Sequence, residues 1–294
     1  MTAVATSPSR ATARRSTDNG GALAKAGPMT YVIAYLLVGL CLAPIAYIII
    51  GGFRTNAQIT ESPSGLPAPW VVSNYVDVLT SSIFWQQVGN SLIAGIATTL
   101  GVVVLGVMVS YVIARHRFRG SNAMYSLFAA GLMFPMTVAI TPLYILVRDL
   151  GLANSLGGII LPQIAFALPT TVIILVPFLR AIPKELEEAA RLDGCGHGRI
   201  FGQVMLPLAT PALATTAIFT FIWTWNDFFS QLIFLTTDEM KTAPLALRNF
   251  LDSSSGSSWG PMFAMSIVTI IPIFIVFLLG QKYLVKGIAT TGIK

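Results

Sequence analysis

One short stretch gathers an unusual density of side chains capable of chemistry. Residues 184–207 read KELEEAARLDGCGHGRIFGQVMLP, placing Lys184, Glu185, Glu187, Glu188, Arg191, Asp193 and Arg199 close together in a chain that is only 10% charged. Acid–base or metal chemistry is disfavoured by the residue types. His116 and His197 are the only histidines, and Cys195-x-His197 is too sparse for a metal site. An intramembrane enzyme would need an acid pair, a serine with a base, or a histidine cluster inside the apolar stretches, and Asp227 is the only acid there. Two readings remain for the residues alone: a docking element for a partner, or an amphipathic helix that only solvates the chain. Pro183 suits a first helical position, and Glu185, Glu187 and Glu188 sit in first turns where the helix dipole favours negative charge. Leu186, Ala189 and Ala190 share a face at helical spacing, small enough for a partner backbone to approach. Gly194, Gly196 and Gly198 then permit a reversal. A second short helix is expected from Arg199, with Ile200, Phe201 and Val204 on one face, stopping at Leu206-Pro207.

The elements that position this stretch are read from composition. The 294 residues are 54% apolar with a mean hydropathy of +0.75, against ~25% charged residues in an ordinary soluble domain. Apolar windows at about 30–53, 88–114, 124–147, 156–179, 212–235 and 262–281 predict six membrane-spanning helices, because lipid offers no partner to exposed amides. The expected fold is therefore all-α and polytopic. A disordered tail over 1–28 precedes a membrane domain over 29–294, with a loop at 180–211 and a C-terminal tail at 282–294. Of the 18 Lys and Arg, fourteen fall in the N-terminal tail, the second and fourth connections and the C-terminus. Both termini and the charged loop are thus expected on the cytoplasmic side. The net charge of +6 reports topology, and no aromatic-interleaved basic stripe suggests nucleic acid. No G-x-x-x-x-G-K-[ST] phosphate loop or other cofactor motif occurs, so energy from ATP would have to come from another subunit.

Glu188-Ala189-Ala190, three residues, Gly194, nine residues, then Val204-Met205-Leu206-Pro207 resembles the EAA loop of binding-protein-dependent ABC importer permeases, with Val204 where the pattern usually has Ile. Further segments resemble the carbohydrate-uptake, MalG-like branch: Asn90-Ser91-Leu92, the run from Ala114 to Gly120, Pro142-Leu143-Tyr144, Leu150-Gly151-Leu152, Trp225-Asn226-Asp227 and the run from Lys282 to Gly287. The resemblance covers about residues 30–294. It implies a second permease subunit, an ATP-binding subunit dimer and an extracytoplasmic sugar-binding protein as partners. It also implies that Glu188, Ala189, Ala190, Asp193, Gly194, Phe201, Leu206 and Pro207 couple to the ATPase. The terminal IATTGIK, with Thr290, Thr291 and Gly292, would reach the ATPase interface, unless it is simply a frayed terminus. A related solute such as a glycerol phosphate, or an ion-coupled carrier acting alone through Asp227, stays open as an alternative.

Pathway residues are expected where helices are interrupted. Pro135 and Pro142 in the third span and Pro162, Pro169 and Pro177 in the fourth each remove a backbone donor, a break tolerated where water or protein covers the freed carbonyls. Trp223, Trp225, Asn226 and Asp227 lie in the outer part of the fifth span, either as an interfacial belt or facing a sugar-conducting cavity. The first outer connection, with a helix expected to be capped by Ser73, and residues 238–260 offer a surface for a binding protein, or are an inert linker.

Overall fold

The computed structural model describes residues 27–251 and 258–291, with 283–291 as backbone only. All regular structure among the described residues is helical. The chain divides into two compact units, residues 1–46 and 47–294. The first contains most of α1 (Pro28–Gly51), an uncharged helix with no preferred apolar side, as expected of a helix that lipid can surround.

The second unit begins with two short outer helices, α2 (Asn56–Glu61) and α3 (Ser73–Thr80). Thr55 and Gln58 form a reciprocal capping box at the start of α2. The buried Arg54 side chain donates to the carbonyls of Gln58, Ser62 and Pro63, tying off the turn that follows. The expected Ser73 cap is not formed: Ser73 is already inside the helix, whose cap position is Val72, without a side-chain hydrogen bond.

Two long helices, α4 (Ser82–Arg115) and α7 (Leu156–Ala181), pack against each other more extensively than any other pair and make the centre of this unit. Ser81 and Ser155 start them by accepting hydrogen bonds from the amides of Phe84 (3.3 Å) and Gly158 (3.2 Å). Close approach depends on small residues: a β-carbon on Gly106 of α4 would lie 2.5 Å from Thr171 Cγ2 of α7. Pro162, Pro169 and Pro177 all lie within α7, which remains one helix.

The expected third span over 124–147 is instead two helices, α5 (Ser121–Gly131) and α6 (Met136–Asp149), bent by 98°. Pro135 is the cause: it sits extended at the cap of α6, and a proline disfavours helix at the residue before it. Between α7 and the fifth span come α8 (Glu185–Leu192), the single turn α9 (His197–Arg199) and a π-helical turn at Ile200–Met205. That turn runs directly into α10 (Leu206–Asn226), so the stop expected at Leu206-Pro207 does not occur. The Leu206 amide reaches back five residues to the Phe201 carbonyl. This wider turn admits Pro207, which lacks a donor and would clash with a tight preceding turn.

The expected fifth span over 212–235 also ends early. α10 stops at Asn226, Asp227 is extended, and a separate short α11 (Phe229–Phe234) follows. Beyond α12 (Ala243–Ala246) and a 3-10 turn, α13 (Trp259–Thr291) is one helix. The backbone expected to be a flexible tail is therefore helical through Thr291, and Gly292 lies outside the described residues. Among the described residues five helices are long and apolar enough to cross a membrane, and six spans result if α5 and α6 count as one.

Candidate functional site

The charged stretch folds into a protrusion at the basic end of α4 and α7. α8 is strongly amphipathic, with Glu185, Glu187 and Glu188 in its first turn and Arg191 in its last, as the helix dipole favours. It ends in a Schellman turn: the Gly194 amide donates to Arg191 O (3.0 Å) and the Cys195 amide to Ala190 O (2.9 Å). Gly194 sits at φ +80°, a conformation that L side chains resist, so the reversal needs glycine here.

The structure divides the expected docking face. Leu186, Glu188, Ala189, Asp193 and Gly194 are exposed, and Leu192 is 89% exposed. Ala190 instead turns inward, packing with Tyr111, Leu175, Leu179, Ile200, Met205 and Ala209. Phe201 and Leu206 join the edge of the same cluster, with the Phe201 ring 4.9 Å from Tyr111, while Pro207 is exposed. Thus Ala190, Phe201 and Leu206 anchor the protrusion to the bundle, and its outward surface is Leu186, Glu188, Ala189 and Leu192.

A buried ion pair adds to this anchor. Arg115 Nε, at the end of α4, lies 2.8 Å from Glu187 Oε1, with side chains 3% and 8% exposed. By distance this is an ion pair, but neither atom meets hydrogen-bond geometry, so Coulomb attraction in a dry setting is the relevant term. Arg115 Nη2 also donates to Ile182 O (2.6 Å), stitching α4 to the link between α7 and α8.

Inside the membrane region, a cavity of about 560 Å³ opens beside the break in the third span. Phe134, Phe166, Phe219 and Trp223 give it aromatic walls, and Thr170 and Thr220 add hydroxyls. No Lys, Arg, Asp or Glu lines it. Of the expected pathway residues, none of Pro135, Pro169, Trp225, Asn226 and Asp227 is on this wall, although Trp223 from the same stretch is. Pro135 sets the bend beside the cavity, and Pro169 lies against Gly131. Trp225 is 2% exposed, stacked on Phe221 in the core with Val78 and Val88. Asn226 donates to Ile222 O (2.8 Å), one helical turn back. Asp227 accepts from Gln163 Nε2 (2.8 Å) and from the Ser230 amide (3.3 Å) and hydroxyl. Thr98 completes the chain by donating to Gln163 Oε1 (3.2 Å), so the carboxylate ties α4, α7 and α11 together.

The chain matches the model of the binding-protein-dependent transport system inner membrane component family over residues 102–290. It belongs to that family. Members are subunits of transporters embedded in the inner membrane, and this permease is a transport component, not an enzyme. It is 35% identical over 264 residues to the trehalose transport system permease protein SugB of Mycobacterium tuberculosis, spanning 90% of this chain and 96% of the relative. It is 32% identical to the diacetylchitobiose uptake system permease protein NgcG of Streptomyces coelicolor, spanning 89% and 87%. Its fold is similar to a chain of a bacterial ABC transporter importing the acidic polysaccharide alginate, with a TM-score of 0.74 at 26% identity, covering 87% and 95%.

Three residues of α4 hold the outer loop through contacts far along the chain. Gln87 donates to Asp238 O (3.1 Å), Asn90 to Glu239 O (2.7 Å) and Lys241 O (3.0 Å), and Ser91 accepts from the Ala243 amide (2.9 Å). The motif Asn90-Ser91 therefore fastens the loop before α12. On that loop, a hydrogen bond from Lys241 draws the Asp238 carboxyl below its ordinary 3.8, with Asn249 assisting. The ion pair of Glu187 and the hydrogen bond of Gln163 are not readable from local sequence, because their partners are 72 and 64 positions away along the chain.

Proposed function

We propose that this permease is one of two membrane subunits of an ATP-driven sugar importer, working by alternating access with an oligosaccharide as cargo. A second permease, a dimer of ATP-binding subunits and an extracytoplasmic sugar-binding protein would complete it. In this reading both termini and α8 face the cytoplasm, where a cleft of the ATP-binding subunit receives Leu186, Glu188, Ala189 and Leu192. The observation that carries the proposal is the exposed face of α8 on a rigid mount. The Schellman turn at Gly194 and the Arg115–Glu187 pair would pass a push on that face into α4 and α7.

The cavity supports a sugar. Aromatic faces stack on the C–H faces of pyranose rings, and threonine hydroxyls complement their hydroxyls. A glycerol phosphate would want a cation, and this chain supplies none to the wall. An ion-coupled carrier acting alone is disfavoured too, because Asp227 is held by Gln163 and Ser230 away from the cavity. The test is reconstitution with the partner subunits in vesicles. Glu188→Lys is expected to leave the chain inserted while ATP hydrolysis and uptake of the sugar lose their coupling. Normal coupled import by that variant would refute the assignment.

A further inference from the structure

A second cavity, of about 910 Å³, lies at the basic end of the bundle and shares only Arg115 with the mount of α8. Arg117, Arg119, Arg180 and Lys184 line it, together with His116 and the start of α5 at Gly120. No carboxylate is on its wall. The nearby acid Glu187 is already committed to Arg115, and among the described residues none of the four cations has a carboxylate within ion-pair distance.

Topology alone does not ask for this arrangement. The positive-inside preference needs cations near the membrane boundary, and it is indifferent to whether they converge. Here two separate segments, 115–119 and 180–184, are drawn together by the Arg115 to Ile182 hydrogen bond. The Arg180 guanidinium is further oriented 5.6 Å over the ring of Tyr125. All four cations are exposed on this open cavity, within reach of an anion at the membrane boundary. The first turn of α5, eleven residues long, opens on the same cavity. Its cap is Gly120 without a side-chain cap; the Ser121 amide donates to Phe118 O (3.2 Å), and Asn122 and Ala123 of the same turn line the cavity.

We propose that this cavity binds the headgroup phosphate of an anionic phospholipid. The neighbouring surface favours lipid over a soluble anion. From the cavity, α5 continues with Ala123, Met124 and Leu127 exposed at helical spacing, Leu127 at 72%. A phospholipid can lay acyl chains along that face while its phosphate meets the guanidinium groups, whereas free phosphate gains nothing from it. The bound lipid would hold the start of α5 against the ends of α4 and α7.

The full chain, purified with the subunits that accompany it, is exposed to phosphatidylcholine bilayers with and without phosphatidylglycerol. Native mass spectrometry then counts the lipid retained. The expected result is retained phosphatidylglycerol but not phosphatidylcholine, falling about tenfold for Arg119→Gln combined with Lys184→Gln and surviving in Arg119→Lys. A photoreactive phosphatidylglycerol applied to the unaltered protein is expected to label peptides within 115–127, a readout independent of how the variants fold. Equal retention of both lipids, or label found elsewhere, overturns the proposal. Release of the lipid by inorganic phosphate at matched ionic strength would assign the site to a soluble anion and overturn the lipid assignment.

Discussion

Two carboxylates play parallel parts in this molecule, Glu187 buried in the protrusion and Asp227 half-buried at the end of α10. Glu187 sits in a solvent-facing protrusion, yet it is turned inward against Arg115 and leaves Glu188 and Ala189 to face outward. Asp227 lies just past the end of α10, in an apolar run where a lone acid would ordinarily suggest a transport role, yet it is consumed by Gln163 and Ser230 and leaves Trp223 to face the cavity. In each case the conspicuous charge is held by the fold, and its neighbour is the residue that would meet the cargo or the partner in the proposed reading. The lesson is that a buried charge must first be satisfied by the fold.

The sharpest way to break this comparison is to remove one member of the ion pair. Glu187→Ala leaves the Arg115 charge buried and is expected to cost about 3–5 kcal/mol. Replacing both residues by Met should cost far less, since the pair lacks hydrogen-bond geometry; thermal unfolding of the purified complex compares them. Next, Asp227→Ala strands the Gln163 amide and the Ser230 hydroxyl, at about 1–3 kcal/mol. Uptake assays should show an unchanged KM for sugar, whereas Trp223→Ala raises it. A KM shift with Asp227→Asn would mean that the carboxylate reaches the cavity.

Smaller effects sharpen the picture of the protrusion and the outer loop. Neither Gly194 nor Gly196 has an atom that an added β-carbon would meet within 4 Å, and only Gly194 has a positive φ. Gly194→Ala should therefore cost about 1–2 kcal/mol and Gly196→Ala almost nothing, as read by denaturant unfolding. The least effect concerns Asp238, whose folded carboxyl titrates below its unfolded value. Its contribution is present above the ordinary 3.8 and lost as pH falls through the depressed value. Because its side chain is 58% exposed, the loss is that of a surface pair, and Asp238→Asn should flatten it in an acid titration of stability.

The helical class, most of the apolar spans and the amphipathic helix with its glycine turn were legible because each rests on local pattern. Hydropathy over twenty residues, the acidic first turn of α8 and the glycine at its end are short-range signals. What escaped was tertiary. Whether Ala189 or Ala190 faces outward depends on where Leu179 and Met205 lie, which no eight-residue window contains. The early stop at Asn226 depends on Asp227 capturing Ser230, and the smooth passage through Pro207 on a π-turn set by its packing. Pro135 was noticed, but that it turns the chain by 98° while three prolines in α7 do not was settled by their neighbours.

The central claim is that one face of α8 is gripped by a nucleotide-hydrolysing subunit while the other is sealed against the bundle. Cysteine cross-linking tests it directly, in a background carrying Cys41→Ser and Cys195→Ala. Ala189→Cys should cross-link efficiently to the ATP-binding subunit in the assembled complex, and Ala190→Cys, one residue away but buried, should not. Equal cross-linking from both positions, or from neither, would contradict the account.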